Sequence, residues 1–135
     1  MRDKQDIFAR LSSSPRQVER NFGHDVGDKV LRLMAIFLHS ALREEDIAVR
    51  YRGDEFIVIL PHTETGIAVT IADEIRETIK FMEISHITDD DDFSVIVSVG
   101  ISNFPKNAQD DKELVSVSYE NMIQARNNGG DRVYG

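Results

Sequence analysis

The spacing of apolar residues along this chain changes several times, and each change marks a new element. Ile7, Phe8, Ala9 and Leu11 form a short apolar run over residues 7–13, consistent with a first strand that Ser14-Pro15 breaks. From Val26 to Leu42 the residues Val26, Val30, Leu33, Met34, Phe37, Leu38 and Ala41 recur at three and four, which predicts one amphipathic helix. The pattern then turns to alternation. Ile47, Val49 and Tyr51 alternate, as do Phe56, Val58 and Leu60, and the turn residues Arg52-Gly53-Asp54-Glu55 between them predict a hairpin. A second helix is expected over about Glu64 to Met82, with Ile67, Ile71, Ile75, Ile79 and Met82 on one face and Thr63 or Thr65 as its cap.

Val95, Val97, Val99 and Ile101 then alternate with Ser94, Ile96 and Ser98, predicting a strand over 93–102. The last helix is expected from about Asp110 to Arg126, with Gly129-Gly130 as a left-handed C-terminal cap and Arg132-Val133-Tyr134 as a short edge strand. Strand, helix, hairpin, helix, strand, helix, strand is the order of an α/β sandwich with a partly antiparallel sheet.

Composition narrows the function classes. A chain of 135 residues, 41% hydrophobic and 30% charged, is a single globular domain rather than a disordered segment. The net charge of −8 argues against general nucleic-acid or anionic-membrane binding, which needs clustered Lys and Arg, and leaves room for a local basic pocket. With no cysteine, disulfides and thiolate metal sites are excluded. No apolar stretch is long enough to span a bilayer, and Met1-Arg2-Asp3-Lys4 lacks a signal-peptide core, so a cytoplasmic location is expected.

Four segments in order resemble the GGDEF family of diguanylate cyclases: Phe22-Gly23-His24-Asp25-Val26-Gly27-Asp28, Arg50-Tyr51-Arg52-Gly53-Asp54-Glu55-Phe56, Ser98-Val99-Gly100-Ile101 and Ala125-Arg126-Asn127-Asn128-Gly129. The resemblance covers about residues 7–134 and implies a fold like nucleotide cyclases and polymerase palms, a mixed, partly antiparallel sheet flanked by helices. It also implies a signalling domain that is one part of a longer protein, in a family whose members pair face to face. Each member of such a pair holds GTP and Mg²⁺ and joins two GTP into cyclic di-GMP. That phosphoryl transfer needs carboxylates for metal, cations for phosphate and a guanine pocket.

Position by position, the resemblance places Asp54 as a metal ligand and Glu55 as the carboxylate assisting catalysis. Asp28 stands as a guanine contact, although an Asp in a first helical turn also suits the helix dipole. Arg126 stands where the family has a phosphate-binding Lys. Counted back from Gly23, however, the first metal Asp of the family pattern falls on Leu11, its second Asp on Ser13, its Phe-Lys pair on Pro15-Arg16 and its guanine-binding Asn on Glu19. Leucine offers no oxygen to a hard cation. Arg52 replaces the first signature glycine, and a companion cation falls on Gly130. A catalytically inactive domain is therefore expected, with Mg²⁺ used only if the domain is active.

An Arg-x-x-Asp pair, Arg43-Glu44-Glu45-Asp46, lies five residues before the signature, where active members of the family carry a site that binds the product. Arg43 could grip a phosphate or guanine edge in bidentate fashion and Asp46 could accept guanine N–H groups. Alternatively, the pair is a charged turn with Arg43 serving the helix C-terminus. Glu44 and Glu45 add negative charge, and the family's second Arg falls on Glu74, with Arg76 nearby on another face. The expected function is a regulatory domain binding cyclic di-GMP through Arg43 and Asp46. The rivals are an active cyclase using GTP and a dimerisation or scaffold domain, with a homodimer or other signalling domains as partners. His24, His39, His62 and His86 show no metal-ligand spacing, and Asp89 to Asp92 suits a solvated loop.

Overall fold

The computed structural model describes residues 5–13, 22–52, 54–90 and 94–135. The elements are β1 (Asp6–Ser13), α1 (His24–Ala41), β2 (Ile47–Arg52), β3 (Glu55–Leu60), α2 (Thr65–Lys80), α3 (Ser85–Thr88), β4 (Val97–Phe104), α4 (Asp111–Asn127) and β5 (Arg132–Tyr134). They form one five-stranded sheet in the order β2-β3-β1-β4-β5. The central β1 runs antiparallel to β3 and β4, whereas β5 adds to β4 in parallel. The sheet is therefore mixed, and helices flank both its faces.

One face carries the core. Ile7, Ala9, Leu11, Phe56, Val58, Leu60, Val97, Val99 and Ile101 point from the strands into a cluster with Val30, Leu31, Met34 and Leu38 of α1 and Ala68, Ala72, Ile75 and Ile79 of α2. Burying a side chain of this size stabilises the fold by about 1.5–3 kcal/mol relative to leaving it in water. Of the expected α2 stripe, Ile75, Ile79 and Met82 are buried and Ile71 packs against the core, but Ile67 is exposed and Ala68 and Ala72 join the inward face.

The other face is covered over half its width by α4, which packs on β4 and β1. Gly100 permits this. A Cβ there would lie 2.1 Å from both the Met122 nitrogen and the Ser118 oxygen, so β4 and the α4 backbone are in direct contact. Ser102 Oγ donates to Leu114 O at 2.7 Å and Asn121 Nδ2 to Ile101 O at 2.8 Å, fixing the helix along the strand.

The caps follow local chemistry at α4 and tertiary contacts at α2. Asp110 accepts from Glu113 N at 2.9 Å at the start of α4. At its end Gly129 and Gly130 take φ of 112° and 68°. Gly130 N then donates to Ala125 O and Gly129 N to Arg126 O, a Schellman closure. The expected Thr63 or Thr65 cap of α2 is absent: the N-cap is Glu64, with no side-chain cap bond. The Thr63 hydroxyl instead donates to Pro61 O and accepts from Arg43, while the Thr65 hydroxyl accepts from Asn103. No described helix is long and apolar enough to cross a membrane.

Candidate functional site

The β2–β3 hairpin brings the signature carboxylates to the end of the sheet beside β1. Register places Glu55 opposite Ser12, and Leu11 opposite Phe56 and Val99. Leu11 is 1% exposed and belongs to the core. Asp54 occupies the turn just before β3. Glu19, Pro15, Arg16 and Gly53 lie outside the described residues.

Glu55 meets a cation that the sequence pattern did not single out. Arg10 of β1 directs Nε and Nη2 onto Glu55 Oε1, each at 2.7 Å, and the two side chains are only 4% and 13% exposed. The Arg10 guanidinium carbon also lies 4.9 Å from the Tyr51 ring centroid and 4.7 Å from that of Tyr119. Four elements, β1, β2, β3 and α4, thus converge on one guanidinium. Cation–π contacts of this kind contribute about 0.5–2 kcal/mol each, and breaking a buried ion pair by removing one partner costs about 3–5 kcal/mol. Sequence reasoning missed Arg10; the signal that could have found it is an Arg within a central strand, because arginine is rarely buried without a partner.

The other predicted residues divide into two groups. Arg126, in the last turn of α4, donates from Nη2 to Ser12 Oγ at 2.5 Å, so it reaches the same end of β1 as Glu55. Asp28, in the first half of α1, faces Arg50 of β2 at 3.8 Å, with both side chains partly exposed. Together with Asp54, these place cations and carboxylates around the hairpin. Among the described residues there is nevertheless no group of three or more His, Asp or Glu side chains arranged to hold a metal ion. Leu11, where the count from Gly23 places the family's first metal Asp, lies in the core and offers no oxygen to Mg²⁺, and Glu55 is held by Arg10.

Arg43 and Asp46 lie at the opposite end of β2, on the turn that leaves α1. Asp46 N donates to Arg43 O at 3.0 Å, and Asp46 Oδ2 accepts from Arg43 N at 2.9 Å. The guanidinium closes on the same carboxylate, with Nη2 to Oδ1 at 2.8 Å and Nε to Oδ2 at 3.0 Å. Nη2 also donates to Thr63 Oγ1 at 2.7 Å. The hydrogen bonds to Asp46 hold the guanidinium pKa above its ordinary value, against a smaller opposing effect of burial. The Asp46 side chain is 1% exposed and that of Arg43 is 40% exposed, so the arginine covers the carboxylate and offers its outer edge to solvent.

Glu74 is exposed on α2. Arg76 turns away from the Arg43 turn, binding Asp73 at 2.9 Å and Asp131 at 2.5 Å, and Lys80 completes the network on Asp131 at 2.6 Å. This cluster ties α2 to the turn before β5.

A family profile described as "Diguanylate cyclase, GGDEF domain" matches residues 16–132. Among curated proteins, diguanylate cyclase A of Treponema denticola is 31% identical over 118 residues, 87% of this chain and 31% of that protein. The chain thus spans about a third of that relative's length. Among solved structures, the GGDEF domain of YfiN (TpbB) from Pseudomonas aeruginosa superposes with a TM-score of 0.88 at 26% identity, covering 98% of this chain and 83% of that one. The GGDEF domain of DgcB from Caulobacter crescentus, solved in complex with c-di-GMP, gives a TM-score of 0.88 at 23% identity, covering 97% and 77%. The five-stranded mixed sheet, the hairpin with Asp54 and Glu55, and these matches agree: the chain belongs to the GGDEF family of diguanylate cyclase domains.

Proposed function

We propose that this is a GGDEF domain that does not make cyclic di-GMP and acts as a regulatory module that binds it at Arg43 and Asp46. The observation that carries the inactive half is Leu11, 1% exposed and packed opposite Phe56 where the family pattern has a metal carboxylate. The binding half is supported by the bracing of Arg43 between Asp46 and Thr63. A guanidinium held in one orientation loses little rotamer freedom when it meets a phosphate or guanine edge. DgcB, a neighbour in fold, was solved with c-di-GMP bound. Arg43 meets the ligand with its outer edge, 40% exposed, while Asp46 holds it from behind.

One observation favours a second reading. With its carboxylate 1% exposed, Asp46 also serves as a clasp that joins the end of α1 to β2, which is what a domain without nucleotide needs. The test is calorimetry with cyclic di-GMP, paired with GTP and Mg²⁺ turnover followed by chromatography. The proposal expects saturable binding of the dinucleotide, its loss in Arg43→Ala, and no product. Conversion of GTP to cyclic di-GMP overturns the inactive reading. Absence of dinucleotide binding overturns the ligand and leaves a scaffold domain.

A further inference from the structure

We infer that Arg10 has become the permanent counter-ion of Glu55, so that the signature hairpin carries its own cation where a divalent metal ion would otherwise be drawn. The inference rests on the inactive reading above and deepens it. A carboxylate that is 13% exposed needs a compensating positive charge close by, because burial alone penalises its ionised form. Arg10 meets that need with two N–H groups on a single oxygen. A divalent ion approaching the same carboxylate would meet like charge.

The arrangement is not a chance surface pairing, because Arg10 is held from several sides. Tyr51 of β2 and Tyr119 of α4 each present a ring to the guanidinium, at 4.9 and 4.7 Å. The backbone of Arg10 is fixed within the sheet opposite Ile57 and Gly100. To leave Glu55, the guanidinium must displace rings that belong to two different elements. Leu11, the neighbour that points to the opposite face, sits in the core, and the two changes act in the same direction. One removes an oxygen ligand, and the other neutralises a carboxylate from within.

The experiment is cation replacement in the whole chain, read without GTP so that turnover plays no part. Melting curves are recorded with increasing Mn²⁺ for the wild type, Glu55→Gln, Arg10→Met, Arg10→Lys and Arg10→Met/Glu55→Gln. Methionine keeps an unbranched apolar stem between the tyrosines and removes only the charge. The wild type and Arg10→Lys are expected to show no saturable Mn²⁺ dependence. Arg10→Met is expected to melt lower and to regain about 4 °C as Mn²⁺ reaches roughly tenfold its Kd, with the rescue abolished by Glu55→Gln. A wild-type Tm that rises saturably with Mn²⁺ and loses that response in Glu55→Gln overturns the inference. So does an Arg10→Met protein that folds and shows no rescue. If Arg10→Met does not fold, Mn²⁺ electron paramagnetic resonance on the wild type and Glu55→Gln decides: equal free-ion signals support the inference, and a Glu55-dependent bound fraction overturns it. None of these results bears on cyclase activity, which the GTP assay reads separately.

Discussion

Replacing Gly100 with alanine tests the half of the fold that positions Arg126 and Tyr119. The added Cβ would lie 2.1 Å from the Met122 nitrogen and 2.1 Å from the Ser118 oxygen, both backbone atoms that cannot rotate away. An ordinary carbon contact is about 3.5–4.0 Å, so α4 must lift from β4 by well over an ångström. Overpacking of this kind costs about 1–3 kcal/mol, and lifting the helix also strains the Ser102–Leu114 and Asn121–Ile101 hydrogen bonds. Those contribute about 0.5–1.5 kcal/mol each, which brings the expected loss to roughly 3–5 kcal/mol out of a total stability of about 5–15 kcal/mol.

Urea denaturation followed by circular dichroism would report this loss, as would a fall in Tm of roughly 10–20 °C. The internal control is Gly66→Ala. A Cβ at Gly66 meets nothing within 4 Å, so in the first turn of α2 the same chemical change is expected to be neutral or to stabilise by about 0.5 kcal/mol. If the two substitutions had equal effects, or if Gly100→Ala melted within a degree or two of the wild type, the close approach of α4 to β4 would be wrong.

Asp131→Asn is expected to cost about 1–2 kcal/mol near neutral pH, since it removes the charge that holds Arg76 and Lys80 at 2.5 and 2.6 Å in a partly exposed site. Burial pushes the Asp131 pKa up, but the bonds from Lys80 and Arg76 outweigh it and hold the carboxyl below its usual range. Its stabilisation is therefore complete above the unfolded carboxylate value of about 3.9 and is lost as pH falls through the lower folded value. Melting curves between about pH 6 and pH 2 should converge for wild type and Asp131→Asn at the acid end. Asp110→Ala removes the bond to Glu113 N at 2.9 Å and should lower stability by about 1 kcal/mol, with faster amide exchange confined to the first turn of α4. Thr63→Val removes the brace at 2.7 Å from Arg43 Nη2, and calorimetry should show weaker cyclic di-GMP binding with a Tm changed by only a few degrees.

Periodicity and composition located the main elements because each has a local cause. The three-and-four spacing in α1 and the alternation in β4 follow from helix and strand geometry, and the Gly129-Gly130 closure follows from the left-handed φ its cap requires. The four family segments were likewise legible, because their residues lie within short stretches at set distances. Which side of β2 faces the core was not legible. Ile47, Val49 and Tyr51 alternate like an inward face, yet they are 51%, 47% and 45% exposed while Ala48 packs on the core. The reason lies in the tertiary arrangement: α4 rests on β4, β1 and β5, at the far side of the sheet from the edge strand β2.

The candidate site divides along the same line. That Asp54 and Glu55 sit on a hairpin and that Arg43 and Asp46 share a turn follow from residues a few positions apart. That Glu55 is paired with a cation follows from Arg10, 45 residues away in the chain, which Tyr119 on a different element also contacts. The Thr63 hydroxyl that braces Arg43 comes from 20 residues downstream. Local sequence determines backbone preference and charge inventory, because these depend on neighbours along the chain. Only the folded sheet decides which charge meets which, because pairing depends on register across strands and on where a helix rests.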